Sequence, residues 1–377
     1  MSKARELSDY TGLQADITAG DTAARAGRKN LIINGAMNVA QRGTSLTGLY
    51  NGTNYLIDRF SFGGGTTDGR VTMTQDSDGP AGFANSLKLA CTTADTSIAA
   101  ADENYIIYRV EGQDLQQLKK GTSSAESMTL SFYVKGNAAA TYTAEFYDAD
   151  NNRHNGQTFN VTTSWNRVTL TYAPDTTGAY TDDNTIGVYI IFWIHAGSNS
   201  TSGTFTSNSW AAAVTANRVS ASNTSFFDST ARTLNITGVQ LEVGSVATDF
   251  EHPRSYGEEL HLCQRYYEII ADGGRANDSP YFGVGQGVKS DQINWFYDFK
   301  AEKRAAFTLI VPTVTNGYQA KTHTTTISGN SLGFTSVHQS LHSIMGYMTN
   351  ISGVTEQSCW QMQLNGAAAH IAVDAEL

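Results

Sequence analysis

The sequence predicts an all-β protein, a sandwich or barrel with a second, smaller β domain behind it, and three observations predict it. Charged residues are only 16% of the 377, well below the quarter or so usual in soluble proteins. The polar surface must then come from Thr, Ser, Asn and Gly, which favour turns and half-exposed strands over helix interiors. From Asn30 to about Pro253 short β-branched and aromatic runs alternate with Gly, Asn, Asp and Ser clusters, the pattern of stacked antiparallel sheets.

Residues 1–29 differ from the rest of the chain. Tyr10, Leu13 and Ile17 have helical spacing, but Gly12, Gly20 and Gly27 interrupt them, each weakening a helix by about 1 kcal/mol relative to Ala. The segment is expected to order only against a partner, as an anchor or a short oligomeric helix; a frayed terminus is the alternative.

In Ser127–Val134 the residues Met128, Leu130, Phe132 and Val134 alternate with smaller polar groups, a period-2 strand with one buried face. Residues 142–147, 167–172, 186–194 and 234–243 read alike, with turns at Lys135-Gly136-Asn137, Asp148-Ala149-Asp150-Asn151-Asn152 and Pro174-Asp175. No long helical pattern separates them, which argues against a parallel α/β enzyme fold.

Ser255-Tyr256-Gly257-Glu258 is a capping box. Leu260, Cys263, Tyr267 and Ile270 follow at spacings of three, four and three, with Gly273 and Gly274 as a stop, so a helix of about four turns is expected to join the β regions. Strands then resume. Ile293, Trp295, Tyr297 and Phe299 share one face, as do Phe307, Leu309 and Val311, and Trp360–Leu364 with His370–Leu377 reads as paired strands. The resulting division is 1–29, 30–254, a linker helix over 255–274, and a β domain over 275–377.

A net charge of −10 removes the basic footprint that nucleic-acid binding requires. No apolar run approaches the roughly 20 residues that span a bilayer, so membrane insertion is not expected. The first ten residues hold no signal-peptide core, and folding in a cytoplasm is expected. Cys91, Cys263 and Cys359 fit neither a disulfide framework nor a metal clip and read as small buried apolar residues.

Several segments resemble tail-fibre and related virion structural proteins of marine tailed phages. They are Asn30-Leu31-Ile32-Ile33-Asn34-Gly35-Ala36-Met37, Gln41-Arg42-Gly43, Ile57-Asp58-Arg59-Phe60, Gly238-Val239-Gln240-Leu241-Glu242-Val243-Gly244, Ala247-Thr248-Asp249-Phe250-Glu251-His252 and Leu262-Cys263-Gln264-Arg265-Tyr266-Tyr267. Ser131–Gly136 and Trp165-Asn166-Arg167-Val168 are similar to inner strands of jelly-roll carbohydrate-binding modules, and Val373-Asp374-Ala375-Glu376-Leu377 resembles the ending of such phage chains. The resemblance covers residues 30–275 by motif order and the C-terminal domain loosely. It implies a jelly-roll sandwich in a homotrimeric virion fibre or spike, docked to other virion proteins through residues 1–29. Attachment would be to a host-surface glycan or protein receptor, with the C-terminal domain facing the receptor. A head-decoration or collar fibre is the alternative, and a polysaccharide depolymerase a second. Tyr10, Leu13, Ile17, Leu260, Cys263, Tyr267 and Ile270 are then the expected oligomer contacts. The resemblance also permits a structural calcium with Glu242 as a ligand; no other cofactor is expected.

Sugar binding by a sandwich needs aromatic faces for stacking and polar groups to orient hydroxyls. Trp165, Trp193 and Trp295 read as core. Trp210 and Tyr180, in polar Gly- and Ser-rich surroundings, are the candidate stacking residues. Asp148–Asn152 lacks the Gly and Glu of a calcium loop and reads as a hairpin turn, while His338 and His342 lack companion ligands for zinc and read as solvent-facing. Nucleophile elbow, His-Glu-x-x-His, phosphate loop and closely paired acids are all missing. Gly283-Val284-Gly285-Gln286-Gly287 opens no helix, and adjacent Asp182-Asp183 cannot share one bond on a strand. The expected function is therefore binding, without catalysis.

Overall fold

The computed structural model describes residues 29–253, 255–272, 280–311, 313–330, 332–365 and 370–377, with backbone alone for 334–339. The N-terminal stripe of Tyr10, Leu13 and Ile17, the stop at Gly273 and Gly274, and the His338 side chain thus lie outside the described residues.

Alternating apolar runs become strands because one face of each can be buried. In chain order they are β1 (Ser45–Leu49), β2 (Gly52–Tyr55), β3 (Phe60–Gly65), β4 (Arg70–Asp76), β5 (Ser86–Thr93), β6 (Glu103–Glu111) and β7 (Met128–Gly136). There follow β8 (Ala140–Asp148), β9 (Arg153–Val161), β10 (Asn166–Tyr172), β11 (Ile186–Ala196), β12 (Ala211–Ala212) and β13 (Thr233–Val243). They form a 6-stranded sheet, β1-β4-β5-β13-β7-β10, and a 7-stranded sheet, β12-β9-β8-β11-β6-β3-β2. The chain crosses between the sheets after β1, β3, β5, β6, β7, β9, β10 and β12, the repeated interchange of a jelly roll. Phe60, Phe62, Leu87, Leu89, Leu130, Phe132, Phe146, Phe192 and Leu241 fill the space between them.

The resembled opening segments, 30–37, 41–43 and 57–59, are not strands. Residues 30–37 form an extended stretch and a turn laid on β13, where the Leu31 N–H donates to Leu241 O at 3.0 Å and Leu241 N–H to Asn30 Oδ1 at 3.0 Å. Gly35 is required there, since a Cβ would lie 2.1 Å from Val239 O. Ile57–Phe60 is a turn that only enters β3 at its last residue.

Ser255 caps helix α1 (Tyr256–Gln264), its hydroxyl accepting from Glu258 N–H at 3.2 Å. The helix is shorter than the apolar spacing predicts. The chain turns at Arg265 and Tyr266 and enters β14 (Tyr267–Asp272), because Tyr267, Ile269 and Ile270 suit a strand and find a partner in the C-terminal segment. Cys263, Tyr267 and Ile270 are consequently buried inside the chain, and Leu260 is half-buried. The first three cannot be the oligomer contacts expected of them, and the second domain begins at Tyr267, before residue 275. Cys91 is buried too, whereas Cys359 is exposed, against expectation.

The second domain contains β15 (Tyr281–Lys289), β16 (Gln292–Asp298), β17 (Thr308–Ile310), β18 (Tyr318–Lys321), β19 (Thr326–Gly329), β20 (Gly333–Gln339), β21 (Ser343–Thr349), β22 (Cys359–Leu364) and β23 (His370–Asp374). β14-β23-β17 is one sheet and β19-β18-β22-β15-β16-β21-β20 the other. Trp360–Leu364 and His370–Asp374 therefore do not pair with each other but close different sheets around Trp295, Trp360, Phe307 and Ile371.

The connecting segment and the C-terminal end are tied to the first domain through charge. Arg265 grips Glu111 with two bonds, 3.0 and 2.8 Å, and Arg59 pairs with Glu376 while lying 3.4 Å from the Tyr266 ring centroid. Arg59 and Glu376 are both desolvated, so each needs the other, whereas Arg265 is half-buried and matches the fully buried Glu111.

Candidate functional site: the outer face of the seven-stranded sheet

Period-2 alternation sends every second residue of a strand away from the core. On β6 these are Glu103, Tyr105, Ile107 and Arg109; on β11, Tyr189, Ile191 and Trp193; on β8, Thr143, Glu145 and Tyr147. Register assembles them into rows. Tyr147 stands opposite Tyr189, and Tyr189 opposite Arg109; Glu145 opposite Ile191, and Ile191 opposite Ile107; Thr143 opposite Trp193, and Trp193 opposite Tyr105. Ile107, Ile191, Trp193 and Val219 form a separate apolar cluster, with Tyr105, Tyr147 and Tyr189 half-buried around it.

Ring geometry is fixed by the neighbours. Tyr147 and Tyr189 tilt against each other at 5.8 Å, and Tyr105 meets Trp193 edge to face at 5.1 Å. Tyr105 has room because Gly63 of β3 faces it: a Cβ there would lie 2.6 Å from the ring. Arg109 donates to the Tyr55 hydroxyl at 2.7 Å and to Ser61 Oγ at 3.0 Å, holding its guanidinium 5.6 Å from the Tyr189 centroid.

Glu145 anchors the other side. Fully buried, it accepts from Trp193 Nε1 at 2.7 Å and from Arg218 at 2.8 and 2.9 Å, with His154 Nδ1 at 3.2 Å. Burial alone would raise its pKa, but the bonds from His154, Arg218 and Trp193 and the Arg218 charge hold the carboxyl below the usual range. Arg218 comes from the long connection after β11, which also lays Phe205 over Gly156 of β9, and its guanidinium lies 4.6 Å from the Tyr147 centroid. Burial pushes the half-buried Glu103 carboxyl up, with Arg218 opposing. The result is a face of three tyrosine rings bordered by two arginines and a carboxyl, able to stack on flat apolar surfaces and to hydrogen-bond hydroxyls beside them.

Tyr180 and Trp210 do come together, but not as an exposed pair. Tyr180 is 5% exposed and belongs to the main core. Trp210 is half-buried against that core and donates its indole N–H to Ala173 O at 2.7 Å. Both surround Lys120, which pairs with Asp148 at 2.7 Å and Asp175 at 3.2 Å. This ion pair draws the polar loop inward, which its composition conceals, and the cavity left is on the scale of one water. Trp193 and Trp295 are buried as expected. Trp165 is not core: half-buried ahead of β10, it donates to Asp78 Oδ1 at 3.0 Å.

Asp148–Asn152 is the β8–β9 hairpin turn, and His342 is exposed. Glu242 lies on β13 beside residues 30–32, and its oxygens accept from Gln240 Nε2, Thr248 N–H and Thr248 Oγ1 at 2.6–3.0 Å. Among the described residues, one group of three His, Cys, Asp or Glu side chains has metal-ligand proximity, and it is Asp95, Asp102 and His195.

No family model matches the chain, and no curated protein does. Solved structures similar to it include a family 4 carbohydrate-binding module, at 14% identity over 56% of this chain and 97% of that one, TM-score 0.29. A family 11 carbohydrate-binding module of a Clostridium thermocellum cellulosomal cellulase matches at 12% identity over 54% and 100%, TM-score 0.27. The enzymatically active domain of tailspike protein 4 of bacteriophage CBA120 matches at 15% identity over 57% of this chain and 21% of that one, TM-score 0.29.

Proposed function

We propose that this chain is a virion fibre or spike protein of a tailed phage that holds a host-surface glycan on the outer face of its seven-stranded sheet. The observation that carries the binding reading is the placement of Tyr147 and Tyr189, half-buried and directly opposite each other, with half-buried Tyr105 two rows further along the same face and Arg109, Arg218 and Glu103 at their margins. Pyranose rings present C–H faces that stack on such rings and hydroxyls that such polar groups orient. Receptor contact is thereby proposed for the first domain rather than for the C-terminal one, which is the expectation when the tryptophans of the first domain read as core.

The site is proposed to bind without catalysis. Of the two carboxylates on this face, Glu145 is fully buried with both oxygens held by Arg218 and Trp193, so it does not reach a scissile bond. The virion assignment rests on the resembled motifs. A homotrimer has a surface to use: Tyr281, Val284 and Phe296 are 52–63% exposed on the C-terminal domain, and Val284 stands directly opposite Phe296, an apolar pair that a second copy would cover.

The test is binding of the purified full chain to a panel of surface polysaccharides and to host cells, with competition of phage adsorption. Saturable binding that Tyr189→Ala reduces, and adsorption blocked by the protein, are the expected results. A folded protein that binds no glycan and does not compete ends the attachment reading.

A further inference from the structure

The end of the sandwich away from the tyrosine rows of Tyr189 and Tyr147 holds a group that glycan binding does not use. Asp95 follows β5, Asp102 precedes β6, and His195 lies near the end of β11 beside a register shift in its pairing with β6. Their ligand atoms lie within 4.8 Å of one another, and all three residues are buried, His195 completely. Among the described residues neither carboxylate has a Lys or Arg within ion-pair distance; Asp102 has only His195 Nε2, at 4.0 Å. The two acids are held by hydroxyl and amide donors with no cation beside them among the described residues, and buried charges are ordinarily paired or coordinate metals.

The histidine supplies an independent observation. Its Nδ1 is bonded to Ser225 Oγ at 2.9 Å, while Nε2 has no hydrogen-bond partner although it is enclosed and directed at the carboxylates. In the tautomer that carries its proton on Nδ1 and gives it to Ser225, Nε2 presents a bare lone pair to two carboxylates, an arrangement that a cation between them resolves. The outer partners are also in place. Asp95 is oriented by Thr67 Oγ1 at 2.8 Å and the Asp68 and Ser97 N–H groups at 3.1 Å; Asp102 is oriented by Thr66 Oγ1 at 3.0 Å and Ala99 N–H at 2.7 Å. Such bonds aim ligands and tune their basicity in metal sites.

We propose that Asp95, Asp102 and His195 bind a divalent transition-metal cation of the zinc class, clamping the β3–β4 and β5–β6 connections to the end of β11. One imidazole and two carboxylates give a neutral site with a dication. The imidazole selects zinc-like ions over calcium, which takes oxygen ligands. Ligands about 2.1 Å from a metal stand at most about 4.2 Å apart, so the side chains close only slightly on the ion, and water completes the coordination.

Full-chain protein stripped with chelator and dialysed is titrated calorimetrically with zinc chloride, with calcium and magnesium chloride as separate arms, and its thermal midpoint is followed. One zinc per chain and a raised midpoint are expected, with at least a roughly hundredfold weaker binding in His195→Gln. Should that variant fail to fold, Ser225→Ala keeps every ligand and is expected to weaken zinc binding about 10- to 100-fold. Absence of stoichiometric binding in folded protein, calcium binding in place of zinc, or zinc binding unchanged by these substitutions overturns the proposal.

Discussion

Trp193 donates its indole N–H to Glu145 at 2.7 Å, from a strand position diagonal to the carboxylate, so the apolar floor of the outer face and its buried charge are built as one unit. Glu145→Ala removes the acceptor for Trp193 and strands Arg218, whose side chain is only 20% exposed. Breaking such a pair costs about 3 kcal/mol, to be read as a lowered urea midpoint. The pH sign follows from the lowered native pKa: the unfolded chain binds more protons, so this contribution is complete above about pH 4.5 and is lost as pH falls through the native pKa. Denaturation midpoints of wild type and variant should converge in acid.

Tyr105, Tyr147 and Tyr189 are half-buried, and their replacement by Ala leaves the main core intact. Each is expected to weaken glycan binding by about tenfold, or ~1.4 kcal/mol, with little change in thermal midpoint. Tyr180→Phe, which removes a buried hydroxyl having no hydrogen-bond partner, should leave glycan affinity unchanged. Calorimetric titration of the four variants separates the two positions.

Gly63 offers a subtler probe. A methyl at Gly63 meets the Tyr105 ring at 2.6 Å, and the ring must swing away because the other side of the strand pair is backbone. Gly63→Ala should therefore lower glycan affinity in a folded protein, with altered near-ultraviolet circular dichroism as the sign that the ring has moved.

Much of the architecture is legible in the sequence, and the misses have physical causes. Strands such as Met128–Gly136 and Ile186–Ala196 follow from period 2 because one face is buried along their whole length. The spacing of Leu260, Cys263, Tyr267 and Ile270 fits helix and strand alike, and only pairing with β23 decides that Tyr267 and Ile270 are extended. At the outer face of the seven-stranded sheet the alternations Tyr105-Ile107-Arg109 and Tyr189-Ile191-Trp193 are present to be read. Their apolar neighbours make both runs look wholly buried, and register across β8, β11 and β6 is a long-range property no local window contains. Tyr180 misleads for the converse reason: its polar flanks fold inward onto Lys120.

The exposed pair Val284 and Phe296 should be covered if copies of this chain associate. Phe296→Glu places a charge in that contact, and the cost of burying it without a partner disfavours assembly. Light scattering is expected to give a trimer mass for wild type and a monomer for Phe296→Glu at equal concentration; a monomeric wild type rules the trimer out.

Asp58 shows the opposite pH behaviour to Glu145. It is fully buried, and burial outweighs Arg42, at 3.9 Å, and the bonds from Gln41, with Glu376 adding repulsion, so its pKa is pushed up to about 6. The native state then binds more protons than the unfolded chain, whose aspartates titrate near 3.8. Its contribution is complete below that value and is lost as pH rises through about 6, a loss of about 3 kcal/mol, because each tenfold difference in proton affinity is worth about 1.4 kcal/mol. Since Arg42 also contacts Asp374 at 3.2 Å and Glu376 at 3.4 Å, ionisation of Asp58 draws on the cation that joins the two domains. A carboxyl carbon resonance titrating near 6 by NMR, missing in Asp58→Asn, is the expected signature, together with a stability decline between about pH 4 and 7 that the variant lacks; an Asp58 carboxyl titrating at or below its ordinary value would refute it.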